Sequence, residues 1–190
     1  MGGWRSFLAV ELGKELAGRI HAIQGTLKAK MEGVRWVGSG GVHVTLKFLG
    51  EIDPSVVDQI AEKAQEAVQG ITSFTISIGG GGAFPNSRNP RVLWIGVDDH
   101  HGLLTELQDR VERKLEALGF QRENREYRPH LTLGRVRSGT RKGVSAEAMQ
   151  ELQQSDVGTM EVKEITLFRS DLKPTGAEYT KLRTIPLQTL

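Results

Sequence analysis

Two stretches of this chain repeat the same order of elements, and an internal repeat constrains a fold more than any single motif does. Each runs strand, helix, then a strand carrying His-x-Thr. The first opens at Arg5 and reaches its motif at His43, 38 residues on; the second opens at Arg91 and reaches its motif at His130, 39 residues on. The motifs are His43-Val44-Thr45-Leu46 and His130-Leu131-Thr132-Leu133. Residues i and i+2 of a strand project from one face, so each copy presents an imidazole beside a hydroxyl. A rough twofold between the units would bring two histidines and two threonines into one cleft. That set suits acid–base chemistry on a phosphate.

The repeat predicts an α+β fold: a single bilobal domain of two pseudo-symmetric β-α-β-α-β units, the first over about residues 1–80 and the second over about 88–190. Antiparallel-rich sheets should line a central groove, with the helices outside. In the first unit, 5–10 reads as a strand, and Leu12, Leu16, Ile20, Ile23, Leu27 and Met31 recur at helical spacing over 13–31. Strands follow over 34–37 and 42–49. Asp53-Pro54, an acid before proline, marks a helix start; that helix should run to Gln69, with a strand over 74–78. The second unit offers a strand over 91–97 and a helix over 103–118 closed by Gly119. The motif strand over 130–136, a short helix over 145–153 and closing strands over 161–168 and 178–186 complete it.

Composition sets limits. A chain of 190 residues, 38% of them hydrophobic, can bury a full core. No apolar stretch nears the ~20 residues needed to span a bilayer, and the N-terminus lacks the regions of a signal peptide. Without cysteine there is no disulfide, thiolate metal site or cysteine nucleophile. The expectation is a cytoplasmic monomer with no membrane partner. Net charge is only +2, yet between Arg110 and Lys142 ten basic residues stand against four acids, around the second motif. That local excess favours an anionic substrate, although a solvated helix face explains part of it.

Beyond the motifs, Arg35-Trp36-Val37, Lys47-Phe48-Leu49-Gly50, Gly82-Ala83-Phe84-Pro85, Pro90-Arg91-Val92-Leu93-Trp94, Arg128-Pro129 and Gly134-Arg135 follow a recognisable order. So do Ser170-Asp171-Leu172-Lys173-Pro174, Gly176 and Tyr179 near the end. Over nearly the whole chain the sequence resembles the two-histidine phosphoesterase superfamily, specifically the RNA 2′,3′-cyclic phosphodiesterases, also called 2′-5′ RNA ligases. Gly134 stands where that family more often has alanine, and 168–171 departs from its aromatic-acidic-Ser-basic run. The resemblance implies a bilobal α+β fold and metal-free hydrolysis of an RNA 2′,3′-cyclic phosphate end to a 2′-phosphomonoester. It also implies the reverse activity, joining tRNA halves through a 2′-5′ linkage. In that scheme His43 is the proton donor and His130 the proton acceptor, with no cofactor and no metal.

Opening a cyclic phosphodiester requires an attacking water to lose a proton while the departing oxygen gains one. Histidines titrating near ~6.5 can do both around neutrality, and the near-twofold symmetry alone leaves the two roles interchangeable. Thr45 and Thr132 are expected to donate to non-bridging phosphate oxygens, β-propensity being the plainer account of a strand threonine. Arg135 and Phe48 each lie five residues after a motif histidine. Strict alternation turns both away from the cleft, so a bulge is needed to bring Arg135 to the phosphate. Phe48, and Phe84 in a loop after Gly79–Gly82, are candidate platforms for a base; Trp36 and Trp94 are assigned to the core.

Three other readings compete. A metal site would need a third histidine or a carboxylate where the motifs bring threonine, and His21, His100 and His101 read as incidental. A non-catalytic RNA-binding module accounts for the basic stretch but not for the paired histidines. The same chemistry on a small cyclic-phosphate nucleotide, an ADP-ribose cyclic phosphate or a 2′-5′ oligoadenylate would use the same four motif residues.

Overall fold

The computed structural model describes residues 2–137, 144–174 and 176–189, so Arg141 and Lys142 of the basic stretch lie outside the described residues. The first unit contains β1 (Trp4–Glu11), α1 (Lys14–Lys28), β2 (Val34–Trp36), β3 (His43–Ile52), α2 (Val57–Val68) and β4 (Phe74–Phe84). The second contains β5 (Val92–Asp98), α3 (Leu103–Glu116), β6 (His130–Val136), α4 (Ala146–Gln153), β7 (Asp156–Val162) and β8 (Glu164–Lys173), and β9 (Gly176–Pro186) closes the chain. The fold is α+β, as the repeat requires.

The strands form one sheet in the order β7-β4-β5-β6-β3-β1-β8-β9, with β2 added to β6. Its two halves, β7-β4-β5-β6 and β3-β1-β8-β9, each draw strands from both units: β4 crosses to β5, and β8 crosses to β1. The halves meet at one register pair, Val44 opposite Leu131. The helices cover one face, where Leu16, Ile20 and Leu27 of α1, Ile60 and Ala64 of α2, and Leu104, Leu107, Val111 and Leu115 of α3 pack with Leu8, Val44, Ile76, Leu93, Ile95 and Leu131 of the strands. Each such buried aliphatic contributes about 1.5–3 kcal/mol. The motif side chains project from the other face.

Four local expectations change. Asp53 does cap, its carboxylate accepting from Ser55 N at 2.8 Å, but it opens a 3-10 turn over Pro54–Val56 before α2 begins. The glycine run continues β4 instead of ending it, which puts Phe84 on a strand end and not in a loop. A Cβ at Gly81 would meet the Leu152 side chain and Trp94 O at 2.7 Å, and one at Gly82 the Trp94 ring at 2.7 Å. Those glycines therefore serve close approach, although their composition reads as a turn. The strand expected over 161–168 is two, β7 and β8, which part at Lys163 for opposite halves of the sheet. Trp94 leaves the core: paired with Thr132, it lies on the motif face, while Trp36 packs on the main core as expected.

Candidate active site

The pair Val44–Leu131 joins the central residues of the two motifs. In an antiparallel ladder this register sets His43 across from Thr132, and Thr45 across from His130. The imidazoles then occupy opposite corners of a small quadrilateral. Directly opposed Cβ atoms lie about 5 Å apart and diagonal ones about 7–8 Å, which leaves room for one tetrahedral phosphate between the rings.

Both motif strands bulge at the same place. In β3, Leu8 pairs with Lys47 and Ala9 with Thr45, so Leu46 is the extra residue; in β6, Leu93 pairs with Gly134 and Trp94 with Thr132, so Leu133 is. Each is the third residue after its histidine. The bulge reverses alternation, leaving Leu46 and Lys47 both buried and turning Phe48 and Arg135 back onto the motif face. Phe48 is 62% exposed there and lies 6.0 Å from the Phe7 ring.

Each bulge is held by a buried polar side chain from the other unit's helix. Gln24 of α1 donates through Nε2 to Leu133 O at 2.9 Å and to Val37 O at 3.0 Å. From β3, Lys47 Nζ donates to Glu112 Oε2 of α3 at 2.5 Å and to Gln121 O at 2.8 Å. The same carboxylate accepts from Gln108 Nε2 at 3.2 Å and Glu123 N at 3.3 Å. Gln24 and Glu112 stand 19 and 18 residues before their motif histidines, equivalent positions of the repeat. Sequence reading missed both; the available signal was a polar residue inside each helix's apolar stripe. Tyr127 adds a third tie, its hydroxyl donating to Thr45 O at 3.1 Å from the segment that leads into β6.

The two histidines sit in different surroundings. His130 Nδ1 lies 2.6 Å from Arg128 O. A carbonyl only accepts, so Nδ1 carries the proton and the lone pair of the neutral ring is on Nε2. The Phe84 ring meets His130 edge-on at 5.0 Å and stacks on Trp94 at 5.2 Å. His43 stacks on Phe7 at 4.5 Å and meets the edge of Tyr179 at 5.3 Å, above a separate small cluster of Phe7, Ala9 and Phe168. Burial there lowers its pKa to about 4, because the charged form loses hydration without gaining an anionic partner.

Tyr179 closes the site from β9. Burial pushes its phenol upward, while the positive charges of Arg5 and Arg135 pull the other way. Arg5 and Arg135 come from opposite halves of the sheet, so the phenol lies where the halves face each other. Phe7, Arg5, Trp94 and the packing role of Tyr179 are additions to the sequence reading. The remaining histidines are elsewhere: His100 sits between Asp98 and Ser77 at 3.2 and 3.3 Å, His101 is in a turn, and His21 is on α1. Among the described residues, no group of three or more His, Asp or Glu is arranged to hold a metal ion.

Comparison with known proteins gives the family and the fold. The family profile of the 2′-5′ RNA ligase superfamily matches residues 12–174. An RNA 2′,3′-cyclic phosphodiesterase of Methanothermobacter thermautotrophicus is 38% identical over 183 residues, covering 96% of this chain and 98% of its own length. One from Archaeoglobus fulgidus is 37% identical over 180 residues, covering 94% and 98%. Among solved structures, the protein TT0787 of Thermus thermophilus superposes with a TM-score of 0.79 at 25% identity over 96% of this chain and 97% of its own. E. coli LigT complexed with 3′-AMP gives 0.76 at 24% over 97% and 98%, a likeness of fold. No helix of the described residues is long and apolar enough to cross a membrane. With a shared fold, a family profile over most of its length and relatives matched end to end, this chain belongs to the 2′-5′ RNA ligase superfamily of two-histidine phosphoesterases.

Proposed function

We propose that this protein hydrolyses the 2′,3′-cyclic phosphate at an RNA 3′ end to a 2′-phosphomonoester. His130 is the proton acceptor and His43 the proton donor. The Val44–Leu131 register is the observation that supports the reading, because it pairs the central residues of the two motifs and so favours one phosphate site shared by both. The names of the full-length relatives supply the substrate class.

The neutral His130 Nε2 takes a proton from water as the water oxygen bonds to phosphorus. The bond from phosphorus to the 3′ oxygen breaks opposite, and His43 protonates that oxygen. Burial keeps His43 neutral in the free protein. The anionic phosphate supplies the missing partner, raises its affinity for a proton and so charges the acid only when substrate is bound. Thr45, Thr132 and Arg135 stabilise the charge that develops on the non-bridging oxygens; one such donor is worth about 3–4 kcal/mol. Phe48 on one side and Phe84 on the other offer faces for bases. Proton transfer and charge stabilisation both come from side chains, so no metal ion takes part. The same ring opening with a 5′-hydroxyl in place of water, His130 taking its proton and His43 protonating the departing 3′ oxygen, joins tRNA halves through a 2′-5′ phosphodiester, and the reading is of a cytoplasmic monomer.

The test is turnover of cyclic-phosphate-ended oligonucleotides in chelator, with the product isomer identified. His43→Ala and His130→Ala should each lose at least about 10²-fold in kcat while still binding RNA. Full activity in either variant, or a 3′-phosphate product, refutes the mechanism.

A further inference from the structure

The β2–β6 pairing sets Arg35 directly across from Arg135. Their neighbours fix the face: Val34, Trp36 and Val136 pack against the core, so the two exposed guanidiniums project from the face that carries the motifs. Directly opposed residues have Cβ atoms about 5 Å apart, and like charges so placed destabilise a sheet. No carboxylate pairs with either arginine among the described residues, although most other arginines and lysines here have one within 4 Å. An unrelieved pair of opposed cations at a substrate groove is a site for anions. Guanidinium forks bind phosphate oxygens in bidentate fashion, and two forks side by side suit two phosphates of one chain.

Resting on the phosphodiesterase reading above, we infer that Arg35 and Arg135 form a two-phosphate clamp. Arg135 takes the cyclic phosphate, and Arg35 takes the phosphodiester on the 5′ side of the terminal nucleotide. Arg35 stands one strand further from the histidines, on the strand that joins β6 only beyond its bulge. The chain of the substrate therefore leaves the site across β2. A cyclic mononucleotide has no second phosphate and gains nothing from Arg35. The clamp makes this an enzyme for oligonucleotide ends, with small cyclic nucleotides as poor substrates.

The experiment compares uridine 2′,3′-cyclic phosphate with the dinucleotide ApU ending in the same group, for the wild type, Arg35→Gln and Arg35→Lys. Binding of ApU 2′-phosphate and uridine 2′-phosphate is measured in parallel over a salt series. The wild type should favour the dinucleotide in kcat/KM. In Arg35→Gln that preference should fall about tenfold, and the slope of log affinity against log salt for ApU 2′-phosphate should drop by about one. Arg35→Lys keeps the charge without the fork, so the salt slope should return and the preference recover only in part. A preference unmoved by Arg35→Gln, or equal losses on both substrates, overturns the clamp alone. A wild type that opens neither substrate overturns the phosphodiesterase reading beneath it.

Discussion

Replacing Lys47 by methionine tests whether the bulge of β3 is set from behind by a buried ion pair. The side chains of Lys47 and Glu112 are 2% and 4% exposed, and 2.5 Å separates Nζ from Oε2. Methionine fills a similar volume but leaves the Glu112 carboxylate buried with only the Gln108 and Glu123 donors. It also leaves Gln121 O without its donor. Breaking one side of a buried pair typically costs about 3–5 kcal/mol, a large share of the ~5–15 kcal/mol that holds a domain folded. Urea unfolding should show a lower midpoint at unchanged slope. The double variant Lys47→Met/Glu112→Leu removes both charges and should recover most of that loss, since a well-packed apolar pair is often as stable as the buried ions it replaces. Its activity should not recover in step: Phe48 and Thr45 flank the bulge residues, and their placement relied on the Lys47–Glu112 ion pair. A Lys47→Met variant less than about 1 kcal/mol below wild type, or a double variant no more stable than the single one, refutes this account.

The equivalent tie predicts that Gln24→Leu costs about 1–3 kcal/mol, read by the same unfolding assay, because Val37 O loses its buried partner and Leu133 O one of two. Its activity loss should fall mainly on kcat, because a displaced Arg135 no longer stabilises the charge that develops on the phosphate. For His43, the unfolded chain binds a proton near ~6.5 and the folded chain only near about 4. The unfolded state therefore holds more protons between those values, and stability should fall by up to about 3 kcal/mol as pH drops from about 6.5 to about 4. His43→Gln should flatten that segment of the stability profile, and an unchanged profile refutes the assignment. In NMR titration, a bound nucleoside 2′-phosphate should move the His43 midpoint upward; a fixed or lower midpoint contradicts charging of the acid by substrate.

Some of this protein was written in local pattern. The 3.6-residue stripe of α1, the period-2 presentation of His43 with Thr45 and of His130 with Thr132, and the near-equal spacing of the two units can all be followed along the chain. They could be read without coordinates, and the α+β class followed from them. The placement of Phe84, Trp94 and Arg135 could not. Gly79–Gly82 reads as a turn because glycine's usual role is conformational freedom, which Gly80 does use at φ +57°, whereas at Gly81 and Gly82 Leu152 and Trp94 press against a strand that must lack side chains. Arg135 sits at an odd offset from His130, and a bulge that reverses alternation leaves no mark on the sequence at Leu133.

Order along the chain was enough to specify the chemical kit and the strands that carry it, which depend on residues a few positions apart, and the repeated unit, which shows in the matching intervals of 38 and 39 residues. How the units interlock was a matter of long-range packing: β4 and β8 exchange halves, and one pair, Val44 with Leu131, aligns the motifs. The same packing selected which buried groups hold the bulges. Gln24 is 109 residues from the carbonyl of Leu133 that it holds, and Lys47 is 65 from Glu112. Contacts at such separations form only when distant segments fold onto one another, so local propensity is silent about them.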